Sequence, residues 1–253
     1  MKALVHRVLD FLPCTSSVKF NGVILPPSRR RWCGPEFRNN EYYLNSAVEE
    51  AKRLKLEFGI KNNNNILDIG CGYGRLPIGL HQVFDSINYL GIDVFKPSIR
   101  WCRKFITKNP SKMEFIHLDM KNERYNNIGE KISNNFRFPL QDKSQDLIYL
   151  YSVFSHMELE DTRQYLKEFK RIIKTEGKIF FTAFIEKNVT DYKINPENYI
   201  FEKFTGPLHV VRYDYNFIKN ELEIAGFAIE KIFQSTETDK QSGLLIKSLN
   251  NEK

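Results

Sequence analysis

The sequence predicts an α/β protein built on a doubly wound sheet of seven strands, mostly parallel and finished by an antiparallel hairpin at its C-terminal edge. Three observations carry that expectation. From residue 66 to residue 184, short β-branched and aromatic runs alternate with amphipathic segments of helical length, the pattern of a parallel sheet with helices on both faces. The stretch ILDIGCGYGRL, from Ile66 to Leu76, runs an apolar segment into Gly70, Gly72 and Gly74, as a strand does when it turns abruptly into a helix. Near the end, a helical segment closed by Ala225-Gly226-Phe227 precedes two apolar runs, FAIEKIF and GLLIKSL.

Taken in order, the first residues, MKALVHRVLDFLPC, read as a short amphipathic helix, too brief and too interrupted by His6, Arg7 and Asp10 to span a bilayer. Between Asn39 and Phe58 the residues Leu44, Ala47, Val48, Ala51, Leu54 and Phe58 recur at helical spacing, and Gly59 follows as a stop. This helix is placed to roof a pocket, and residues 1–60 are expected to form a helical cap on the substrate side. The run Asn62 to Asn65 reads as a surface loop. Strands are expected at 66–69, 87–93, 113–119, 146–151 and 178–184. Pro97 starts one intervening helix, and another places Tyr165, Leu166, Phe169, Ile172 and Ile173 on one face before Gly177 ends it. Residues 185–213 form an insertion, its first part without periodicity, after which Asp214 caps the last helix. Residues 61–253 thus constitute one main domain.

Composition narrows the function classes. Hydrophobic residues make up 42% and charged residues 27% of 253, as in an ordinary globular protein with a real core. Cys14, Cys33, Cys71 and Cys102 lie far apart with no C-x-x-C pair, so neither zinc nor a disulfide framework is supported, and no metal is expected. With no span in sight, the expected location is cytoplasmic. A formal charge of +7 admits a nucleic acid partner, although the lysines are scattered and only Arg29 to Arg31 cluster.

The glycine turn indicates a nucleotide cofactor held where backbone approaches closely. The dinucleotide fingerprint G-x-G-x-x-G fails here, because Arg75 stands at the third glycine's place. Asp68, two residues before the turn, favours a cofactor with an ammonium group over a diphosphate.

The ordered series DIGCGYG, then GID at 91–93, HLD at 117–119 and FPLQDKSQDLIYLYSVFSHM resembles class I S-adenosylmethionine-dependent methyltransferases, in particular the methyltransferase type 11 group. The likeness runs from about residue 60 to 184 and implies a Rossmann-like fold, S-adenosyl-L-methionine as cofactor and S-adenosyl-L-homocysteine as product. By this resemblance Asp68 lies near the cofactor's amino end, and Gly70, Cys71, Gly72 and Gly74 pass against its methionine and ribose, with Arg75 next to them. Asp93 takes both ribose hydroxyls, while Val94 and Phe95 follow as an apolar face for adenine. Asp119 accepts from the adenine amino group, Met120 packs beside the ring, and Tyr151 and Ser152 approach the sulfonium. An Asp that ends a strand is also a common turn residue or cap, and Gly91 reads as a packing glycine.

Methyl transfer is an in-line displacement that depends on alignment in a dry pocket. Hydroxyl and amine acceptors also lose a proton, and His156 is the histidine placed beside the expected donor, as general base, as an orienting group or as a helix-packing residue. His117 reads as core, and His209 as a residue at the pocket mouth. The insertion carries Tyr192, Tyr199, Phe201 and Phe204, which suit a substrate lid or loop anchors. Arg29 to Arg31 suit an anionic acceptor, the cofactor carboxylate or a solvated surface. The expected acceptor is an oxygen or nitrogen of a small molecule; RNA and a non-catalytic, cofactor-binding regulatory role are the alternatives, and the oligomeric state stays open.

Overall fold

All seven expected strands form, and those buried on both faces are the central ones, rich in β-branched and aromatic residues. The protein is described by a computed structural model covering residues 14–107, 112–200 and 206–249. The expected helix at residues 1–14 and the aromatic residues Phe201 and Phe204 therefore lie outside, or all but outside, the described residues. The chain divides into two compact units, Met1–Asn65 with Cys71–Leu118, and Ile66–Gly70 with Asp119–Lys253.

The first unit opens with a hairpin, β1 (Val18–Phe20) and β2 (Val23–Leu25). Asn21 and Gly22 both take positive φ, 47° and 80°, as a two-residue turn matched to strand twist requires. Two short 3-10 turns, Ser28–Arg30 and Glu36–Arg38, lead to helix α1 (Asn40–Leu56), capped by Asn39, whose side chain accepts from Tyr42 N. The segment from 14 to 39 is thus hairpin and turns, and regular helix begins only at Asn40. The buried face of α1, with Ala47, Ala51 and Leu54, packs on α2 (Arg75–Val83), so closely that a Cβ on Gly79 would lie 1.9 Å from the Ala47 carbonyl oxygen. Strands β4 (Asn88–Asp93) and β5 (Met113–His117) pair in parallel across α3 (Lys96–Phe105). A Cβ on Gly91 would meet Cys71 Sγ and Phe115 at 2.9 Å, which accounts for that glycine by packing. The Asn62–Asn65 run is stapled down: Asn62 donates to Asp85, and Asn88 donates to Asn63 O and Asn65 Oδ1.

The second unit carries the strand order β10-β11-β7-β6-β3, with β3 (Asn65–Ile69), β6 (Gln145–Leu150), β7 (Ile173–Glu186), β10 (Phe227–Phe233) and β11 (Ser242–Ser248). β3, β6 and β7 run parallel; β11 is antiparallel to both β7 and β10. From Ile179 to Phe184 every residue of β7 is buried, a run apolar except for Thr182, as in a central strand covered on both faces. Helix α4 (Leu159–Ile172) turns Tyr165, Leu166, Phe169 and Ile172 inward. It ends at Ile172, so Ile173 belongs to β7 and Gly177 does not stop the helix as the sequence suggested. Instead, Gly177 sits in an irregular stretch where the β6–β7 register slips between Gln145↔Ile173 and Leu147↔Lys178; a Cβ there would press on Gln145 O at 2.9 Å. Beyond the seven ladders, β8 (Tyr192–Ile194) and β9 (Val211–Asp214) extend the end of β7, with β9 parallel to it and antiparallel to β8. Asp214 caps helix α5 (Tyr215–Ile224), accepting from Asn216 N and Phe217 N, and Gly226 closes it at φ 83°.

Gly79→Ala is expected to cost about 1–3 kcal/mol through forced separation of α1 and α2. Denaturant unfolding measures this directly, and an unchanged midpoint would contradict the close approach.

Candidate functional site

The turn after β3 is built on backbone that side chains tolerate poorly. Gly70, Gly72 and Gly74 all have positive φ, at 73°, 52° and 74°. A Cβ at Gly70 would stand 2.5 Å from Val153 Cγ2, and one at Gly74 would stand 2.3 Å from Ile106 Cδ1. Glycine is needed at these two positions for both conformation and space. Asp68, 3% exposed, lies in the strand before them.

Within the first unit, Asp93 at the end of β4 receives this turn. Gly72 N donates to Asp93 Oδ2 and Phe95 N donates to Oδ1, each at 2.7 Å, while Cys71 N donates to Ile92 O at 3.2 Å. Each carboxylate oxygen keeps a lone pair for a further donor. Burial pushes this carboxyl up to about 6, against the lowering effect of the two amide donors. The Phe95 ring is 4% exposed and lies 5.0 Å from Trp32, which also meets Tyr73 edge-on at 5.8 Å. His117 Nε2 donates to Val94 O at 3.1 Å, so this histidine ties β5 to the residue after Asp93.

One arginine expectation, the solvated run at Arg30 and Arg31, is corrected. Arg75 turns back on α1, donating to Ser46 O at 3.3 Å with its guanidinium 5.9 Å from the Phe37 ring. Arg30 and Arg31 are 2% and 3% exposed, which excludes the solvated run. Arg31 donates to Pro26 O, Phe37 O, Arg38 O, Asn39 O and Asn40 Oδ1 and lies over Tyr43, closing the orphan carbonyls of a turn.

In the second unit, Tyr151 and Ser152 follow β6. Tyr151 OH accepts from Thr238 N and lies 3.0 Å from Thr238 Oγ1. Ser152 is held in the left-handed region at φ 58°, a costly conformation for a non-glycine residue that its surroundings must enforce. They do so through a closed circuit. Ser152 N donates to Thr182 Oγ1, Thr182 Oγ1 donates to Gln241 Oε1, and Gln241 Nε2 donates back to Ser152 Oγ, at 2.7, 2.9 and 2.9 Å. Ser155 Oγ at 3.0 Å and His156 Nε2 at 3.4 Å then lie within reach of the Ser152 hydroxyl. Thr182, Gln241 and Ser155 escaped sequence reasoning, because no local spacing links residues on β7, before β11 and after β6.

His156 closes the short 3-10 turn Phe154–His156. Its Nδ1 lies 3.0 Å from Leu208 O; a carbonyl only accepts, so Nδ1 carries the hydrogen and Nε2 keeps its lone pair. Burial, with Arg124 nearby, pushes this imidazole down to about 4, so it is neutral at physiological pH. Asp119 is exposed and accepts from Asn126 Nδ2 at 2.8 Å, while Met120 bridges Glu130; a folded-over turn thus follows β5. Of the aromatic residues in the insertion, Tyr192 stacks near Tyr213 and Phe217, and Tyr199 meets Phe184 edge-on, so both anchor the segment. Among the described residues, no helix is long and apolar enough to cross a membrane.

A family model described as a methyltransferase domain matches residues 67–181, a span that holds the glycine turn, Asp93, Asp119 and the turn with His156. Residues 67–181 thus match a methyltransferase domain. S-adenosylmethionine is the cofactor of such a domain. An uncharacterized methyltransferase of Schizosaccharomyces pombe is 24% identical over 118 residues, 47% of this chain and 39% of that protein; the chain spans well under two thirds of that relative. A tRNA (guanine-N(7)-)-methyltransferase of Streptococcus agalactiae is 25% identical over 160 residues, 60% of this chain and 70% of that one. In fold, the chain is similar to 1,6-didemethyltoxoflavin-N1-methyltransferase of Burkholderia thailandensis, with a TM-score of 0.54 at 11% identity, covering 83% of this chain and 80% of that one.

The fold favours the neutral form of Asp93. Its stabilising contribution is therefore full below about pH 3.8 and lost as pH rises through about 6. The stability of the cofactor-free protein relative to Asp93→Asn is expected to fall across that window. A carboxyl carbon resonance titrating near 4 would contradict the burial.

Proposed function

We propose that this chain transfers a methyl group from S-adenosylmethionine to an oxygen or nitrogen of a small-molecule acceptor. The observation that carries the reading is the double backbone grip on Asp93 by Gly72 and Phe95, inside the matched domain. It presents a carboxylate of fixed orientation, with acceptor capacity left over, beside a glycine-lined turn. That donor set fits a ribose diol.

In this reading Asp93 binds the ribose hydroxyls, while Gly70, Cys71, Gly72 and Gly74 let backbone approach the amino acid portion, near Asp68. Val94 and Phe95 border the adenine on one side; Asp119 and Met120 are the candidates for its amino group and other border. Arg75, which also donates to Ser46 O, remains a candidate for the cofactor carboxylate. Tyr151 and Ser152 belong beside the reacting centre, where the left-handed Ser152 is locked by Thr182 and Gln241. When bound, the cofactor supplies an electrophilic methyl on a sulfonium whose sulfur keeps the bonding pair as a thioether. His156 supplies a neutral Nε2 lone pair that accepts the hydrogen bond of the acceptor's O–H or N–H. With its basicity lowered to about 4, it acts chiefly by orienting the nucleophile, and the proton passes on to water.

A second reading, RNA methylation, is favoured by the tRNA-modifying relative and the net charge of +7. Incubating the protein with methyl-labelled donor and separated RNA and small-molecule fractions of a cell extract distinguishes the two. Label confined to RNA would overturn the proposal.

Calorimetry is expected to detect S-adenosylhomocysteine binding, and Asp93→Ala to weaken it on the order of 10²-fold through loss of charged hydrogen bonds. Because ribose hydroxyls donate best to an ionised carboxylate, affinity should rise with pH through about 6. Unchanged affinity in Asp93→Ala, checked alongside Asp93→Asn for folding, would remove the ribose assignment.

A further inference from the structure

Arg124 sits in the turn after β5 with an incomplete set of partners. The turn itself is firm: Asn122 Oδ1 accepts from Arg124 N and Tyr125 N, at 3.0 and 3.1 Å, and Asn122 and Asn126 exchange backbone hydrogen bonds. Asn122 Nδ2 donates to His156 O at 2.9 Å, which joins this turn to the one that bears His156. The Tyr125 ring meets the His156 imidazole edge-on at 5.9 Å. Arg124 Nε donates to Tyr125 OH at 3.2 Å. Its Nη1 is closed off from solvent and meets no acceptor among the described residues, and no carboxylate there forms an ion pair with it.

Other arginines of the same unit are treated differently. Arg163 is clamped by Glu221 and Glu160, and Arg171 by Glu168 and Asp142. A desolvated guanidinium nitrogen with no acceptor is expensive to keep. The Arg124 charge contributes to lowering both His156 and His209, after burial in each case. Among the described residues no carboxylate pairs with the Arg124 charge, and although Nη1 is enclosed, the residue as a whole keeps part of its surface open.

We infer that Arg124, flanked by His156 and His209, is the recognition site for an anionic group, a carboxylate or a phosphate, carried by the methyl acceptor. A guanidinium fork matches the paired oxygens of either group. With the anion held there, the rest of the acceptor lies beside the Nε2 lone pair of His156 and the Ser152 hydroxyl. This assignment rests on the reading of the chain as a small-molecule methyltransferase and narrows its substrates to acids or phosphate esters.

The test uses the full chain with ¹⁵N-labelled histidine, saturated with S-adenosylhomocysteine, and follows His156 and His209 by NMR during titration with inorganic phosphate and, separately, acetate. His156→Gln and His209→Gln variants assign the resonances. A saturable shift of both imidazoles with at least one anion is expected, with their titration midpoints moving up toward 6.5 as the positive field is neutralised. The more effective anion identifies phosphate or carboxylate as the group. Arg124→Gln should raise both midpoints by itself and abolish the response to anions, while Arg124→Lys should retain part of it. No saturable shift in the wild type, or an equal shift in Arg124→Gln, would overturn the inference; so would a response confined to an RNA oligonucleotide. If Arg124→Gln lost affinity for S-adenosylhomocysteine in parallel, the guanidinium would be serving the cofactor carboxylate and the acceptor assignment would fall. The same anion titration is run on the cofactor-free chain, so failure of the wild type to bind S-adenosylhomocysteine by calorimetry would count against the proposed function alone.

Discussion

The Asp93 carboxylate holds two pieces of backbone that would otherwise have no reason to stay together. Gly72 belongs to the turn that leaves β3, and Phe95 to the turn that starts α3; each gives its amide hydrogen to a different oxygen of the same side chain. This fixes where the glycine loop lies against the end of β4, reinforced by the Cys71 amide on Ile92 O. The cost shows in the carboxyl itself, raised toward 6 because burial outweighs two amide donors. A structural tie alone is better served by a group that does not mind losing water. A carboxylate kept at this expense, with lone pairs to spare, is suited to binding a diol.

A comparable expense is visible after β6. Ser152 is held in left-handed backbone, and the restraint is a circuit of buried side chains, Thr182 and Gln241, whose members are 0% and 1% exposed. Fully satisfied buried networks specify one arrangement of the groups they join. Here the arrangement leaves a hydroxyl pointing among Ser155 and His156. The two devices differ in kind, since one binds backbone with a charge and the other binds a strained residue with neutral groups. Both keep a short turn at a strand's C-terminal end from relaxing.

Much of the architecture was legible because it follows from local pattern. Strand runs, the amphipathic stripe of α1, the glycine turn, the Asp214 cap and the closing hairpin each depend on residues close in sequence. The misreadings share a cause, in that tertiary contact decided them. Gly177 looks like a helix stop until the β6–β7 slip requires a residue without a side chain beside Gln145 O. Arg31 looks like part of a solvated run until the carbonyls of the turns before α1 need a donor. The Asn21-Gly22 turn was different, since its signal is local and strong; the three-residue strands on either side are too short to announce themselves by alternation.

His156 shows how a residue chosen by position takes its character from surroundings that sequence does not reveal. Its place after β6 marks it as a proton acceptor, but the imidazole is buried, its Nδ1–H is spent on Leu208 O, and Arg124 and His209 add positive charge nearby. All of these fix its tautomer and neutrality, and the burial and charge lower its affinity for a proton. A base so weak contributes little to removing a proton in the transition state. It remains a well-directed hydrogen-bond acceptor, and in an in-line displacement direction is the scarcer requirement. A nearby anion would change the balance by offsetting the Arg124 charge and restoring basicity to the ring. Occupancy of the acceptor site would then itself tune the group that orients the nucleophile, strongest when an acidic substrate is in place and weakest when the site holds only water.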